Sequence, residues 1–242
     1  MFGEIAPRYD FLNHLLSLNI DRYWRWRTVR NVPIARVPIA GGRGADTPAD
    51  DAANTPAPAL LDLATGTGDL AMAFSRATDG RVPIIGADFC REMLELARHK
   101  AGDRRNLSFV EADSLRLPFE DDTFQVVTVA FGLRNMSDTD RALREMTRVC
   151  RGGGTVAVLE FSLPRWQPFR AIYGWYFRHL LPRIGAWFAR DGAAAYRYLP
   201  ASVGEFPERD ALLQRMAAAG LVDTRYRSLT FGVATLYLGR KA

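Results

Sequence analysis

The sequence has few cysteines and lacks any long apolar run. Only two cysteines, Cys90 and Cys150, occur among its 242 residues. This excludes a disulfide framework and makes a reducing cytoplasm the simplest compartment to expect. No stretch of about 18 uninterrupted apolar residues exists, so no segment is expected to span a membrane. Because the first ten residues also contain no apolar core segment, we expect no secretory signal.

Lysine and histidine are scarce as well. The chain has two lysines, Lys100 and Lys241, and three histidines, and no cluster of cysteine and histidine has the spacing of metal ligands, so we expect no metal. The formal net charge of +5 therefore comes almost wholly from arginine. A basic balance favours an anionic surface, either nucleic acid or the inner membrane leaflet, without choosing between them. A scattered, solvated set of arginines is an equally good interpretation.

The chain divides into three parts by composition. Residues 1–35 carry apolar residues at helical spacing and predict an N-terminal helical cap. Residues 36–58 are rich in glycine, proline and alanine, which predicts a flexible insertion rather than a domain. Residues 59–242 are expected to form the main domain. Within it, residues 165–195 interleave aromatic side chains with arginine and are expected to form a helical insertion over the substrate site.

Short apolar strands alternate with helices from residue 59 onwards. The expected strands are Ala59–Leu63, Val82–Ala87, Leu107–Glu111, Phe124–Phe131, Thr155–Phe161, Val222–Leu229 and Ala234–Leu238. The expected helices are Leu70–Thr78, Met93–Ala101, Asp138–Cys150 and Glu208–Ala219, with Gly152 to Gly154 ending the third of them. This alternation predicts an α/β fold with an open, mostly parallel sheet that closes on an antiparallel pair.

A glycine-rich turn follows the first strand, in the segment Asp62-Leu-Ala-Thr-Gly-Thr-Gly-Asp69. Glycine lets backbone approach a ligand closely, and the N-terminus of the following helix offers free N–H groups. Asp62, Gly66, Thr67 and Gly68 are therefore candidate cofactor-binding residues. Taken alone, the turn fits any adenosine-bearing cofactor, including a nicotinamide dinucleotide.

Acidic residues at the ends of the next two strands help to distinguish between the possible cofactors. Asp88 follows the second strand, where a carboxylate accepts hydrogen bonds from both ribose hydroxyls. Asp113 and Ser114 follow the third strand, where an acid is placed to hold the exocyclic amine of adenine. Asp113 is followed by Leu117-Pro-Phe119 and by Asp122-Thr-Phe-Gln-Val-Val127, an order that resembles the class I methyltransferases. This order therefore favours S-adenosylmethionine over a nicotinamide cofactor.

The chain resembles the ubiquinone/menaquinone biosynthesis C-methyltransferases, the UbiE/MenG family. The matching stretches cover nearly the whole chain except residues 36–58 and include Phe2 to Asp10, Phe131 to Asn135, Leu159 to Ser162, Tyr196 to Leu199 and Leu229 to Gly232. The resemblance implies a class I, Rossmann-like fold: a seven-stranded, mostly parallel sheet with an antiparallel final strand and helices on both faces. It also implies S-adenosylmethionine-dependent methylation of a ring carbon on a prenylated quinol. Demethylmenaquinol and the ubiquinone-pathway benzoquinol both fit the family pattern, and we prefer demethylmenaquinol although no residue distinguishes the two.

Three residues are candidates for the catalytic site. Arg134 and Asn135 follow the fourth strand, where the methyl group is expected to be delivered. Arg134 is expected to stabilise a phenolate or to help a water act as base, and Asn135 to orient the ring hydroxyl. Tyr9 belongs to the N-terminal segment that we expect to fold over the cofactor. The alternative for Arg134 is a helix-capping or salt-bridge role, and His14 is a second candidate base.

The predicted partner is a polyprenylated quinol, with peripheral contact at the cytoplasmic face of the inner membrane through residues 165–190. Aromatic and arginine side chains suit the boundary between headgroups and acyl chains. No nucleic-acid partner is expected, and a homodimer is left open. Two alternatives stay open at this point: a nucleic-acid methyltransferase, suggested by the arginine content, and a non-catalytic scaffold with the same fold.

Overall fold

The computed structural model describes residues 17, 19–34, 59–176, 179, 203–204 and 206–242. Tyr9, His14 and the whole of the expected insertion at 36–58 lie outside the described residues, as does most of the segment from 177 to 202. The first described helix, α1, spans Ile20–Asn31, within the predicted N-terminal helical cap.

Seven strands and five further helices follow α1 in the described residues. The strands are β1 Leu60–Leu63, β2 Ile84–Asp88, β3 Leu107–Glu111, β4 Phe124–Ala130, β5 Cys150–Phe161, β6 Leu221–Leu229 and β7 Ala234–Lys241. The helices are α2 Asp69–Ala77, α3 Arg91–Ala101, α4 Thr139–Val149, α5 Gln167–Trp175 and α6 Asp210–Ala218. Short 3₁₀ turns occur at Leu133–Asn135 and Thr230–Gly232.

The strands form one sheet in the order β3-β2-β1-β4-β5-β7-β6. The first five strands pair in parallel, and β7 runs antiparallel to both of its neighbours, β5 and β6. All four residues of β1 are buried, as expected of a strand covered on both faces. The predicted mostly parallel, seven-stranded sheet with an antiparallel final strand is therefore confirmed.

Helices cover both faces of this sheet. On one face α1 and α2 bury Trp24, Leu70 and Phe74 against β1 and β5. The apolar side of α5 packs against the same hydrophobic core. On the other face α4 and α6 bury a second core that includes Met146 and Met216. Two separate cores on a central sheet are typical of doubly wound α/β folds.

The prediction that Gly152 to Gly154 end helix α4 is wrong, because these glycines lie within β5. The helix ends at Val149, and β5 begins directly at Cys150, whose backbone is already extended (φ −74°, ψ 140°). Gly154 lies inside β5, where a Cβ atom would come 2.8 Å from the carbonyl oxygen of Gln125. The register between β4 and β5 shifts at this point. Glycine is therefore needed for close packing in a strand irregularity.

Among the described residues, no helix has both the length and the apolar character needed to cross a bilayer. The longest of the described helices, α1, has 12 residues.

Candidate functional site

The candidate site lies at the carboxyl edge of the sheet, where the strand order reverses between β1 and β4. Ligands of open α/β sheets bind at such a crevice. The segments after β1 and β4 are in direct contact, since a Cβ atom on Gly132 would lie 2.5 Å from the Cβ atom of Ala64. The structure thus brings the glycine turn and the Phe131–Asn135 segment together, although they are far apart in sequence.

The glycine turn between β1 and α2 needs backbone conformations that favour glycine. Gly66 and Gly68 have φ angles of 55° and 81°. A Cβ atom on Gly68 would also lie 3.1 Å from the ring of Phe109 and 3.2 Å from the Cβ atom of Ala97. The turn therefore packs closely on β3 and α3, and its N–H groups stand at the start of α2, as a cofactor site at a helix N-terminus requires.

Asp62 is buried beneath this turn, with 1% of its surface exposed. Its two carboxylate oxygens accept hydrogen bonds of 2.7 Å from the hydroxyls of Thr65 and Thr128. Burial raises the pKa of the Asp62 carboxyl to about 6, although both hydrogen bonds oppose that rise. The geometry supports a role for Asp62 in holding the turn in place.

Asp88 joins the end of β2 to the glycine turn. One carboxylate oxygen accepts a hydrogen bond of 2.8 Å from the backbone N–H of Gly66, and the other accepts one of 2.9 Å from Cys90. Burial raises the pKa of the Asp88 carboxyl above its ordinary value, and the two N–H donors oppose this. An ionised carboxylate has about four acceptor positions. Asp88 therefore retains capacity for the hydroxyls of a ribose.

Asp113 and Ser114 stand beside Asp88, after β3. The N–H of Ala112 donates to the carbonyl oxygen of Asp88 at 3.0 Å, which fixes the two strand ends together. Asp113 is exposed, and its carboxylate accepts a hydrogen bond of 2.8 Å from the N–H of Leu115. Its remaining acceptor positions fit the adenine amine predicted from the sequence.

Thr67 faces away from this edge. Its side chain is 3% exposed and accepts a hydrogen bond of 2.9 Å from the amino group of Lys100. Lys100 also pairs with Asp69 at 2.6 Å, and Asp69 pairs with Arg25 at 2.7 Å. This network links α1, α2 and α3 behind the turn. This network could not be predicted from the sequence, because its members are distant along the chain.

Arg134 forms a buried ion pair with Glu160, at the end of β5. The Nη1–Oε2 distance is 2.9 Å, and the two side chains are 9% and 1% exposed. The same Nη1 donates to the carbonyl oxygen of Phe131 at 2.6 Å. The contacts of Arg134 are therefore those of a salt-bridge arginine, which is the alternative role expected from the sequence. The sequence pattern predicts no role for Glu160, because only the fold places this residue opposite the arginine.

An aromatic cluster surrounds this ion pair. The rings of Phe131 and Phe161 lie 4.5 Å apart, and Trp24 contacts both at 5.7 and 5.8 Å. The guanidinium of Arg134 lies over the Phe161 ring at 5.1 Å. Phe131 has a φ of 56°, a strained conformation for an aromatic residue of the kind that clusters at functional sites.

Asn135 is exposed at the end of the short 3₁₀ turn after Phe131, and its amide nitrogen lies 3.4 Å from the carbonyl oxygen of Phe131. The side chain is therefore accessible to a ligand. Tyr9, the third predicted catalytic residue, lies outside the described residues. Within the described ranges, no group of three or more Cys, His, Asp or Glu side chains is arranged to hold a metal ion.

The fold is that of the class I S-adenosylmethionine-dependent methyltransferases. A methyltransferase of Haloferax volcanii, solved in complex with the Trm112 activator, superposes with a TM-score of 0.64 at 19% identity. The match covers 99% of this chain and 97% of that one. A SAM-dependent methyltransferase of Thermotoga maritima gives a TM-score of 0.61 at 15% identity, with coverages of 100% and 98%. These likenesses confirm the predicted fold class.

The chain belongs to the ubiE/COQ5 methyltransferase family, whose family model matches residues 1–241. It is 46% identical to the demethylmenaquinone methyltransferase of Deinococcus radiodurans over 100% of this chain and 91% of the relative. The demethylmenaquinone methyltransferase of Thermus thermophilus is 45% identical, with 99% of each chain covered. The ubiquinone/menaquinone biosynthesis C-methyltransferase UbiE of Geobacter sulfurreducens is 43% identical, with coverages of 100% and 87%. The predicted family resemblance is confirmed.

Proposed function

We propose that this methyltransferase transfers the methyl group of S-adenosylmethionine to a ring carbon of a prenylated quinol, with demethylmenaquinol as the substrate. The proposal rests on the relatives that match the full chain, two of which are named for demethylmenaquinone. It also rests on the geometry of the carboxyl edge. The observation that carries it is the direct contact between Ala64 and Gly132, because it sets the glycine turn beside the aromatic cluster.

The residues of the turn fit the cofactor. The N–H groups at the start of α2 suit its carboxylate, Asp88 suits the ribose hydroxyls, and Asp113 suits the adenine amine. Bound there, S-adenosylmethionine supplies a methyl group that its sulfonium already activates. The protein therefore needs no nucleophile of its own, and its task is to position the acceptor carbon in line with that methyl group.

The acceptor ring is proposed to lie on the cluster formed by Trp24, Phe131 and Phe161. Offset or edge-to-face contacts between aromatic rings contribute about 0.5–1.5 kcal/mol each. Asn135, exposed beside this cluster, is the proposed partner of a ring hydroxyl. Tyr9 stays a proposed member of the site.

A quinol hydroxyl has a pKa near 10 in water, so its ionisation needs help at neutral pH. Loss of that proton to water gives a phenolate, whose negative charge makes the ortho carbon nucleophilic. This carbon forms the bond to the methyl group as the bond from methyl to sulfur breaks, and S-adenosylhomocysteine leaves. The ring carbon then loses its own hydrogen as a proton, which restores the aromatic ring. We assign the guanidinium of Arg134 to stabilising the phenolate oxyanion. Glu160 holds the guanidinium over Phe161 and thereby acts as a positioning residue.

The prenyl tail of the substrate partitions into a bilayer, so the protein has to meet the substrate there. Residues 165–190 are the proposed contact segment. Trp166 and Trp175 are 65% and 56% exposed, and nearby Phe231, which packs on Phe169, is 77% exposed. Exposed tryptophan favours the membrane interface. In liposome flotation, the Trp166→Ser/Trp175→Ser variant is expected to bind more weakly than the unchanged protein. Equal binding would contradict this assignment.

The proposed reaction is tested with purified protein, S-adenosylmethionine and two reduced quinols that carry the same short prenyl tail. One is a demethylnaphthoquinol and the other a benzoquinol. The expected result is transfer of one methyl group to a ring carbon of the naphthoquinol, seen by mass spectrometry with a deuterated methyl donor. A labelled methyl group on oxygen, or no transfer to either ring, would contradict the proposed reaction. A clear preference for the benzoquinol would contradict demethylmenaquinol as the substrate.

A further inference from the structure

A basic groove lies between α1, α2 and α3, on the side of these helices away from the aromatic cluster. Its volume is about 700 Å³. Its cationic lining residues come from all three helices and from the residues just after α3. They are Arg22, Arg25, Arg30, Arg76, Lys100 and Arg104.

The lining of this basic groove contains one carboxylate, that of Asp69, and it already pairs with Lys100 and Arg25. Within the described part of the chain, no carboxylate forms an ion pair with Arg22, Arg30, Arg76 or Arg104. The lining thus holds six cations and one acid, and Arg25 also pairs with Asp21 beside it. The basic groove therefore carries an excess of positive charge, which attracts anions over a distance.

Exposed aromatic side chains border the basic groove. Trp26 and Tyr23 are 48% and 41% exposed, and their ring centroids lie 5.9 Å apart. Arg30 lies over the Trp26 ring at 5.1 Å, and Arg27 lies over the Tyr23 ring at 5.6 Å. Guanidinium groups stacked on half-exposed rings combine an apolar body with a charged tip. This combination suits the headgroup region of a membrane.

The opposite side of α1 packs against the candidate site. Trp24 is 2% exposed, contacts Phe131 and Phe161, and donates from its indole nitrogen to the hydroxyl of Thr230 at 2.8 Å. Next to Thr230, Phe231 is 77% exposed. Helix α1 therefore lies between the aromatic cluster and the basic groove, on the sheet face that also carries α5.

We infer that the basic groove docks the protein onto an anionic phospholipid bilayer. The arginines bind the phosphate groups of the lipid headgroups, and Trp26 and Tyr23 enter the interface. Large exposed apolar side chains on the same sheet face, such as Phe231, favour a bilayer over a nucleic acid. The inference deepens the proposed function, because its purpose rests on a lipid-borne substrate, but the binding itself needs no quinol.

The test compares two double charge reversals in the full chain. Arg22→Glu/Arg76→Glu changes two exposed arginines of the basic groove. Arg144→Glu/Arg225→Glu changes the net charge equally, at exposed positions on α4 and on β6. Binding is measured by co-sedimentation with phosphatidylcholine vesicles that contain or lack phosphatidylglycerol, without quinol or S-adenosylmethionine. The thermal midpoint and the affinity for S-adenosylmethionine show that both variants are folded.

The unchanged protein is expected to bind the vesicles that contain phosphatidylglycerol, and added salt is expected to weaken this binding. No binding is expected to the vesicles of phosphatidylcholine alone. The groove variant is expected to lose roughly tenfold or more in affinity, since each arginine near an anionic surface contributes substantially. The Arg144/Arg225 control is expected to lose much less. If the groove variant does not fold, Arg22→Gln/Arg76→Gln replaces it, with a smaller loss expected.

Three results would overturn the inference. The first is an equal loss of vesicle binding in both variants, which would mean that the net charge of the protein, and not the basic groove, determines the affinity for the vesicles. The second is abolition of vesicle binding by millimolar glycerol phosphate, which would identify a free phosphate ester as the ligand. The third is tighter binding to single-stranded RNA than to vesicles, with the same dependence on Arg22 and Arg76. Methyl transfer to a detergent-solubilised quinol is measured in a separate assay. Its result tests the proposed function and is independent of the result of the vesicle-binding assay.

Discussion

Arg134 and Glu160 form an ion pair in which 9% and 1% of the two side chains are exposed, with Nη1 and Oε2 2.9 Å apart. The pair spans the carboxyl ends of two neighbouring strands, β4 and β5. Removing one partner of a buried pair leaves a charge without compensation, which costs about 3–5 kcal/mol. The pair therefore couples the stability of this edge to the placement of the guanidinium.

Replacing Glu160 with glutamine is expected to lower kcat by roughly 10²-fold, because a misplacement of about 1 Å has that effect. Affinity for S-adenosylmethionine is expected to stay unchanged, since the glycine turn is intact. The matched control is Glu145→Gln, which breaks another glutamate–arginine pair, with Arg148 at 2.8 Å. Both variants should be less stable, and only the first should lose kcat. Equal kcat in the two variants would contradict a positioning role for Glu160.

Replacing Asp88 with asparagine is expected to weaken S-adenosylmethionine binding by about tenfold or more. Its amide oxygen still accepts from Gly66, but it loses the charge-assisted bonds to the ribose, each worth about 1.5–3 kcal/mol. Isothermal calorimetry measures this, with Asp79→Asn, an exposed aspartate at the opposite end of α2, as the control. An unchanged dissociation constant would remove Asp88 from the cofactor site.

Replacing Gly68 with alanine is expected to destabilise the protein and weaken cofactor binding. The left-handed φ costs about 1–2 kcal/mol for a residue with a Cβ atom, and the contact with Phe109 adds overpacking of about 1–3 kcal/mol. Gly80→Ala separates the two costs, because Gly80 also has a positive φ, 70°, but a Cβ atom there would meet only Asn106, at 3.7 Å. Chemical denaturation should show the larger loss at Gly68, and equal losses would mean that the close approach to Phe109 is unimportant.

Asp62 gives a pH dependence of stability with a definite sign. Burial raises its pKa in the folded state from 3.8 to about 6, so folding favours the protonated form. The resulting stability is fully present below pH 4 and is lost as the pH rises through about 6, by about 3 kcal/mol at most. Relative to this protein, Asp62→Asn should therefore gain stability between pH 4 and pH 7 in urea denaturation. A constant difference across that range would contradict the raised pKa.

The sheet could be predicted from the sequence because its signals are local. The buried strands read as short apolar runs, and the order of strands and helices restricts the topology to a few choices. The prediction that the glycines at 152–154 end a helix is wrong, because glycine is favoured both after a helix and in an irregular part of a strand. Only the neighbouring carbonyl of Gln125 distinguishes the two.

The site could be predicted in part. Asp88 is recognisable because its position at a strand end follows from spacing alone. Glu160 and the Lys100–Asp69 pair are not, because their partners come from distant parts of the chain. Thr67 stays a predicted cofactor contact from its place in the turn, and the hydrogen bond that its hydroxyl accepts from Lys100 could not be predicted from the sequence.

Mass spectrometry of the quinones in cells that lack this protein tests the proposed methyl transfer most directly. A prenylated quinone one methyl group lighter than the normal one is expected to accumulate. Complementation with the unchanged chain should restore the methylated quinone, and complementation with the Glu160→Gln variant should restore much less of it at equal protein levels. An unaltered quinone profile in the cells that lack the protein would contradict the account.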